Sequence, residues 1–338
     1  MLSSRPNSPL HNSCCGLGEV CRFEKNAANP LNIVEGRVGS RHVPDKLILA
    51  GPASEKLGKG IAGKLGADLL PYDFKLFSDG ESKFTVDAKL EGRSVVLVQS
   101  TYPPVDQHLM QLFFLSHQLS QEGARVTAVI PYLAYARQDK EFLPGEVVSL
   151  GVVSHLLRAA GVRRIVTVDI HSMEGLSLFS TPIFSVSAVP DLAAYAKSGI
   201  KVNSPVVIAP DFGATRRTEA FARLYGAELL QLKKTRDRKT GNVMVEASTL
   251  NVSGKDVLIV DDMISSGDTV RAATETVLKQ GAAKVLALCV HPLLMDGAPE
   301  RLKAAGVSSI VGTNTVEGPY SLVDVSGAIS SHLGTLED

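Results

Sequence analysis

The sequence predicts an α/β protein made of two tandem copies of one domain, each a mainly parallel sheet flanked by helices. Three observations carry this expectation. Short apolar runs alternate with helix-length segments from Lys46 onward, the pattern of strands buried on both faces and joined by covering helices. Three segments return in the same order about 160 residues later. A chain of 338 residues is also long enough for two domains, each with its own core.

Taken in order, residues 1–45 mix Ser, Asn, Pro, Gly and Cys without period, which predicts a disordered leader. Glu19, Glu24 and Glu35 speak against an organelle transit peptide there. Strands of the first copy are expected at 47–50, 94–99, 126–131 and 165–169, and those of the second at 206–210, 256–260 and 284–290. Each run is too short for a buried helix and is followed by a segment long enough for one. The repeat aligns the copies: Leu65-Gly-Ala-Asp-Leu-Leu70 with Tyr225-Gly-Ala-Glu-Leu-Leu230, Gly92-Arg-Ser-Val-Val-Leu-Val98 with Gly254-Lys-Asp-Val-Leu-Ile-Val260, and Glu122-Gly-Ala with Gln280-Gly-Ala. The expected domains are 46–189 and 190–317, with 318–338 packing back on the first.

Composition narrows the function. Lys plus Arg and Asp plus Glu are equal at 35 each, so nucleic-acid binding by bulk charge is not expected and any anion site must be local. No apolar stretch approaches the ~18 residues that span a bilayer, and the N-terminus has no signal-peptide apolar core. The expectation is a cytoplasmic protein with no membrane partner. Cys14, Cys15 and Cys21 crowd the leader while Cys289 sits in an apolar run; this suits neither a zinc site nor a disulfide framework. Cys289 reads as a core residue.

The most informative stretch is Asp261-Asp-Met-Ile-Ser-Ser-Gly-Asp-Thr269, which follows the apolar run 257–260 and precedes a helix-period segment. A strand ending in paired carboxylates, then a Ser/Gly/Thr turn and a helix N-terminus, suits a phosphorylated sugar. The turn and first helical residues offer unpaired N–H groups and the positive end of the helix dipole to a phosphate, while the carboxylates can accept from vicinal sugar hydroxyls. At the equivalent place the first copy reads Gln99-Ser-Thr-Tyr-Pro-Pro104, without paired carboxylates, so it has lost that sugar site.

Further motifs are Phe77-Ser-Asp-Gly-Glu81, Pro131-Tyr-Leu-Ala-Tyr-Ala-Arg-Gln-Asp139, Val168-Asp-Ile-His171, Pro210-Asp211 and Lys234-Thr-Arg236. Read alone, the first is a polar turn, Arg137 a solvated charge, His171 a structural histidine at a strand end, and the charged stretch 233–239 a mobile loop without apolar period. With the 261–269 loop, the chain from Lys46 to the C-terminus resembles ribose-phosphate pyrophosphokinase, a family of duplicated type I phosphoribosyltransferase-like domains.

The resemblance implies transfer of the β,γ-diphosphoryl group of ATP to O1 of ribose 5-phosphate. It implies an ATP site of Phe77, Asp79, Glu81, Arg137, Gln138 and His171, with Arg offering charge and a stacking plane. Ribose 5-phosphate falls to Arg236, Asp211, Asp261, Asp262, Ser265, Ser266, Gly267, Asp268 and Thr269. Magnesium is implied at His171 and Asp211, a sparse set that suits an ion sharing its shell with water and substrate phosphates; Asp169 is placed to orient His171. Lys234 and Arg236 are implied as catalytic cations on a closing lid. The substrate hydroxyl is the nucleophile, in keeping with a chain that has neither a Gly-x-Ser-x-Gly elbow nor a Walker Gly-x-x-x-x-Gly-Lys loop. A homo-oligomer (dimer, tetramer or hexamer) is implied, the Phe77 turn reaching a neighbouring subunit's adenine.

Two departures stand out. The family's phosphosugar loop commonly reads Gly-Gly before Thr, whereas Gly267 is followed here by Asp268, whose N–H survives but whose carboxylate is expected to point away from the 5-phosphate. After Asp211 one glycine, Gly213, stands where paired glycines are common. A phosphoribosyltransferase consuming the same diphosphate, and a non-catalytic regulatory homologue, stay open at this level.

Overall fold

The computed structural model describes residues 46–210, 215–231, 233–236, 243–246 and 250–336, and only the backbone at 215, 233–236 and 243–246. The leader expected over 1–45 lies outside the described residues, as does Asp211. In chain order the first half comprises β1 (Lys46–Ala50), α1 (Glu55–Leu65), β2 (Asp68–Leu69), β3 (Asp73–Leu76), β4 (Ser82–Thr85), β5 (Ser94–Val98), α2 (Val105–Gln121), β6 (Arg125–Ile130), α3 (Ser149–Ala159), β7 (Val162–Val168) and β8 (Ile183–Val186). The second comprises α4 (Val189–Gly199), β9 (Val206–Ala209), α5 (Thr215–Tyr225), β10 (Glu228–Gln231), β11 (Lys233–Arg236), β12 (Val243–Glu246), β13 (Asp256–Ile264), α6 (Asp268–Lys279), β14 (Lys284–Pro292), α7 (Ala298–Ala304), β15 (Val307–Thr313), β16 (Ser321–Val323) and α8 (Ser326–Thr335).

The duplication is visible in the topology. One six-stranded sheet runs β2-β1-β5-β6-β7-β8 and the other β10-β9-β13-β14-β15-β16, the same order one copy later. Every pairing within these sheets is parallel. The apolar runs are continuous because successive residues enter different cores: Val95 and Leu97 of β5 face one buried cluster, Val96 and Val98 the other. β13 repeats this with Val257 and Ile259 against Leu258 and Val260, as strands covered on both faces require. Cys289 is fully buried in β14.

Two expectations need correcting. The stretch beginning at Lys233 is not a loop at its start: β11 pairs antiparallel with β12, Lys234 opposite Val245. The ribbon is a two-stranded sheet separate from the main ones. Likewise the strand does not end at the paired carboxylates; β13 continues to Ile264, pairing Met263 with His291 and Ile264 with Pro292 of β14. Asp261 and Asp262 are thus fixed by the sheet itself.

The two sheets meet along a polar seam at the carboxyl ends of their strands. Ser100 Oγ donates to the Thr315 carbonyl at 2.7 Å and accepts from Tyr132 N–H at 3.1 Å. His291 contacts the Val168 carbonyl through Nε2 at 3.1 Å and Thr315 Oγ1 through Nδ1 at 2.9 Å. Ser100, in the first copy's counterpart of the 261–269 segment, thus braces the seam. β16 closes the second sheet, whereas α8 lies on α1 of the first, where Val325, Ile329 and Leu333 share a core with Leu57 and Ile61. Lys46 Nζ ties this arrangement by donating to the carbonyls of Leu333 (3.1 Å) and Leu336 (3.2 Å).

Candidate active site

β13 carries Asp261 and Asp262 to the carboxyl edge of the second sheet, and both are buried. Asp262 N–H donates to Asp261 Oδ1 at 2.8 Å, fixing the pair in one orientation. The chain then turns through Ser265, Ser266 and Gly267 into α6. Gly267 has φ 80°, left-handed, and a Cβ there would meet Leu302 at 3.2 Å, so the turn favours glycine on both counts. Neighbouring backbone holds the turn: Leu294 N–H donates to the Ile264 carbonyl (2.8 Å) and Met295 N–H to the Ser265 carbonyl (3.1 Å). Arg301 donates to the Ser266 carbonyl at 2.9 Å. Among the described residues no side-chain hydrogen bond from its N-cap position closes α6, the helix N-terminus at which the sequence led us to expect an anion. The Asp268 carboxylate is turned back on the loop, accepting from Ser266 Oγ at 2.8 Å.

β7 delivers His171 from the first sheet to the same edge. Its Nδ1 lies 2.5 Å from Asp262 Oδ2. Burial pushes the Asp262 carboxyl up, but the His171 hydrogen bond and charge outweigh it and hold the group well below the ordinary carboxylate range. An ionised carboxylate only accepts, so Nδ1 carries a proton toward Asp262, on a side chain 39% exposed. The expected orienting role of Asp169 is therefore corrected. Asp169 has φ 38°, and its carboxylate turns inward to accept from Ala188 N–H (2.7 Å), Ser187 Oγ (3.3 Å) and Arg217 Nε (3.4 Å). The imidazole is oriented from the other sheet, by Asp262.

Arg217 was missed by the sequence reading. From the first turns of α5 it crosses the seam, donating to the carbonyls of Asp169 (3.1 Å) and Ile170, and its Nη1 lies 3.9 Å from Asp262 Oδ2. The one available signal was the Arg216-Arg217 pair opening a helix after the 211–214 segment. His291 was missed too; it is enclosed in the seam, edge-on to Tyr132 with centroids 5.1 Å apart, and burial lowers its pKa to about 4.

The residues expected to hold the nucleotide divide. Arg137 and Gln138 adjoin Asp139, whose carboxylate accepts from Ser172 Oγ at 2.5 Å, so this segment is tied to the residue after His171. Phe77, Asp79 and Glu81 sit on the exposed β3–β4 turn, closed by Phe77 N–H to the Glu81 carbonyl (2.8 Å) and by Glu81 N–H to Asp79 Oδ1 (3.1 Å). Among the described residues their hydrogen bonds stay within that turn; beside it a groove of about 550 Å³ is lined by Glu81, Asp106, Met110 and Phe114. Lys234 and Arg236 are placed by backbone only, on β11.

Among the described residues no three His, Cys, Asp or Glu side chains converge closely enough to hold a metal ion. So sparse a donor set, with His171 in contact with Asp262, fits magnesium completed by water and phosphate oxygens better than a protein-caged ion.

The N-terminal domain of ribose phosphate pyrophosphokinase matches residues 46–161, and the phosphoribosyl transferase domain matches residues 185–321. The ribose-phosphate pyrophosphokinase of Saccharolobus solfataricus is 37% identical over 292 residues, covering 85% of this chain and 100% of that protein. That of Sulfurisphaera tokodaii is 36% identical over 289 residues, covering 84% and 99%. Among solved structures, phosphoribosylpyrophosphate synthetase from Mycobacterium smegmatis aligns with a TM-score of 0.77 at 29% identity, over 86% of this chain and 98% of that one.

Proposed function

The chain belongs to the ribose-phosphate pyrophosphokinase family, and from that membership we propose how its residues turn ATP and ribose 5-phosphate into phosphoribosyl diphosphate and AMP. The sugar lies at the carboxyl edge of the second sheet, its 5-phosphate on the N–H groups of 265–269 and its hydroxyls on Asp261 and Asp262. ATP lies toward Arg137, Gln138 and His171, with the adenine between Phe77, Asp79 and Glu81 of a neighbouring subunit. The sugar O1 attacks the β-phosphorus; the new O–P bond forms as the bond from that phosphorus to the α,β-bridging oxygen breaks, AMP departs with the electron pair, and the O1 proton is released to solvent.

Such a transfer gives the protein little covalent work, so its contribution is position and opposing charge. Lys234 and Arg236 on the β11–β12 ribbon supply cationic charge to the diphosphoryl group, and closure of the ribbon excludes water. Magnesium, when bound near His171 and Asp211 and the paired carboxylates, adds positive charge at the triphosphate oxygens. We also place the enzyme in the cytoplasm as a homo-oligomer, and its leader, 1–45, outside the catalytic machinery.

The observation that supports this reading best is the contact between His171 and Asp262, which sets the sugar loop directly against the strand end on the nucleotide side. The test is product identity. Purified full chain with ATP, ribose 5-phosphate and Mg²⁺ should yield AMP and phosphoribosyl diphosphate in equal amounts; ADP as product, or folded protein that does not turn over, rejects the assignment.

A further inference from the structure

The loop assigned to the 5-phosphate carries an anion of its own. Asp268 is the first residue of α6, and its carboxylate does two things that an incoming phosphate would otherwise do. Its Oδ2 accepts the Ser266 hydroxyl at 2.8 Å, and its negative charge stands at a helix N-terminus that no side chain caps. No cation within 265–269 offsets that charge. The two nearby guanidinium groups are engaged: Arg271 Nη1 donates to Glu275 at 2.7 Å, with Nε still 3.9 Å from Asp268 Oδ1, and Arg301 donates to the carbonyls of Ser266 and Asp296. The Ser266 carbonyl accepts from Arg301, and the Ser266 hydroxyl, with a single proton, serves one acceptor at a time.

We propose that Asp268 sets the affinity of the sugar loop: its carboxylate is an internal occupant that the 5-phosphate displaces from Ser266 and then repels. The inference rests on the functional reading above and deepens it. A phosphate carries up to two negative charges to a turn that holds Asp268 and follows a strand bearing Asp261 and Asp262. Like charges a few ångströms apart in a solvated loop oppose binding by about five- to tenfold. Removing the carboxylate should therefore tighten ribose 5-phosphate, the reverse of what losing a binding residue does.

The experiment is calorimetric titration of ribose 5-phosphate into the full chain, comparing wild type with Asp268→Asn and Asp268→Gly at low salt and at about 0.5 M KCl. Asn keeps an acceptor for Ser266 and removes only the charge. Both variants should bind about five- to tenfold tighter at low salt, the gap closing at high salt as screening shortens the reach of the charge. Their melting temperatures should stay near wild type, since Asp268 is exposed. Unchanged or weaker binding in the variants overturns the proposal, and so does a gap that salt leaves alone. Binding without AMP formation would instead count against the catalytic reading and leave this one standing; no binding by any of the three proteins overturns both.

Discussion

His171 Nδ1 and Asp262 Oδ2 stand 2.5 Å apart, although the first belongs to one sheet and the second to the other. The contact lies 91 positions apart in sequence and joins the segment following β7 to the carboxylate-bearing end of β13. Neither copy of the domain contains this pair alone. Its geometry depends on the seam, and the seam depends on Arg217 and His291.

Arg217 is expected to be the costliest single side chain to remove at this junction. It pairs with Asp169, and both side chains are largely withdrawn from solvent. Burial raises the Asp169 carboxyl, with Arg217 opposing. Arg217→Met leaves that carboxylate without its cation and should destabilise the fold by about 3–5 kcal/mol. Without Arg217 the folded pKa of Asp169 rises further, so the protonated form is favoured on folding: the loss should be smallest below the unfolded value near 3.8 and grow as pH climbs through the folded pKa. Asp169→Asn in the same chain should recover part of it. Denaturant midpoints of the single and double variants decide the matter; strictly additive losses would mean the pair is not coupled.

Acid should loosen the same seam through His291. Burial lowers its pKa from 6.5 to about 4, so the unfolded chain takes up a proton that the folded chain refuses. Stability is complete above about pH 6.5 and falls as pH drops toward 4, by up to about 3 kcal/mol from this residue. His108 and His332 are also lowered by burial and add in the same direction. Urea midpoints at pH 7.5 and 5 should differ, and His291→Gln should flatten the dependence; an unaltered slope in that variant would show that His291 carries no part of it.

The parallel strands were legible because strands buried on both faces must be apolar throughout, as β5 and β13 are. The hairpins were not, since β3–β4 and β11–β12 stand outside the main sheets and their strands of four residues each are too short to establish a period. Their equivalence is the less visible half of the duplication: each follows the edge strand of its copy, so the Phe77 turn and the Lys234 ribbon occupy matching places. At the site, the position of His171 could be read from its strand, but its partner could not. Asp169, two residues away, was the local guess, and a carboxylate from the other sheet holds the imidazole. Arg217 and His291 act by burial and pairing across the seam, for which no local spacing exists.

Lys234 on β11 provides the test of catalysis by charge. Lys234→Ala should lower kcat by about 10²- to 10³-fold, some 2.7–4 kcal/mol, as loss of one preorganised donor to a charged transition state does. The KM for ATP should move less, because charge supplied only on closure acts on the transition state. An unchanged kcat with a raised KM for ATP would make Lys234 a ground-state binder.

Mixing two inactive variants tests whether the site is shared between subunits. Phe77 and Glu81 lie on an exposed turn whose hydrogen bonds are internal to it, and the adjoining groove exposes Met110 and Phe114. Such a turn is built to present its side chains outward. If it completes a neighbour's adenine site, Glu81→Ala and Lys234→Ala damage opposite sides of one interface. In a symmetric dimer with reciprocal sites, a mixed pair then has one site with both residues intact and a companion carrying both lesions. Random exchange of an equal mixture makes about half the dimers mixed, each with one good site of two, so activity should recover to about a quarter of wild type. Subunit exchange is verified by mass-tagged chains before AMP formation is measured. Recovery near that level places Glu81 and Lys234 on different chains of one site; exchange without recovery would assign both to the same chain's site or make Glu81 structural.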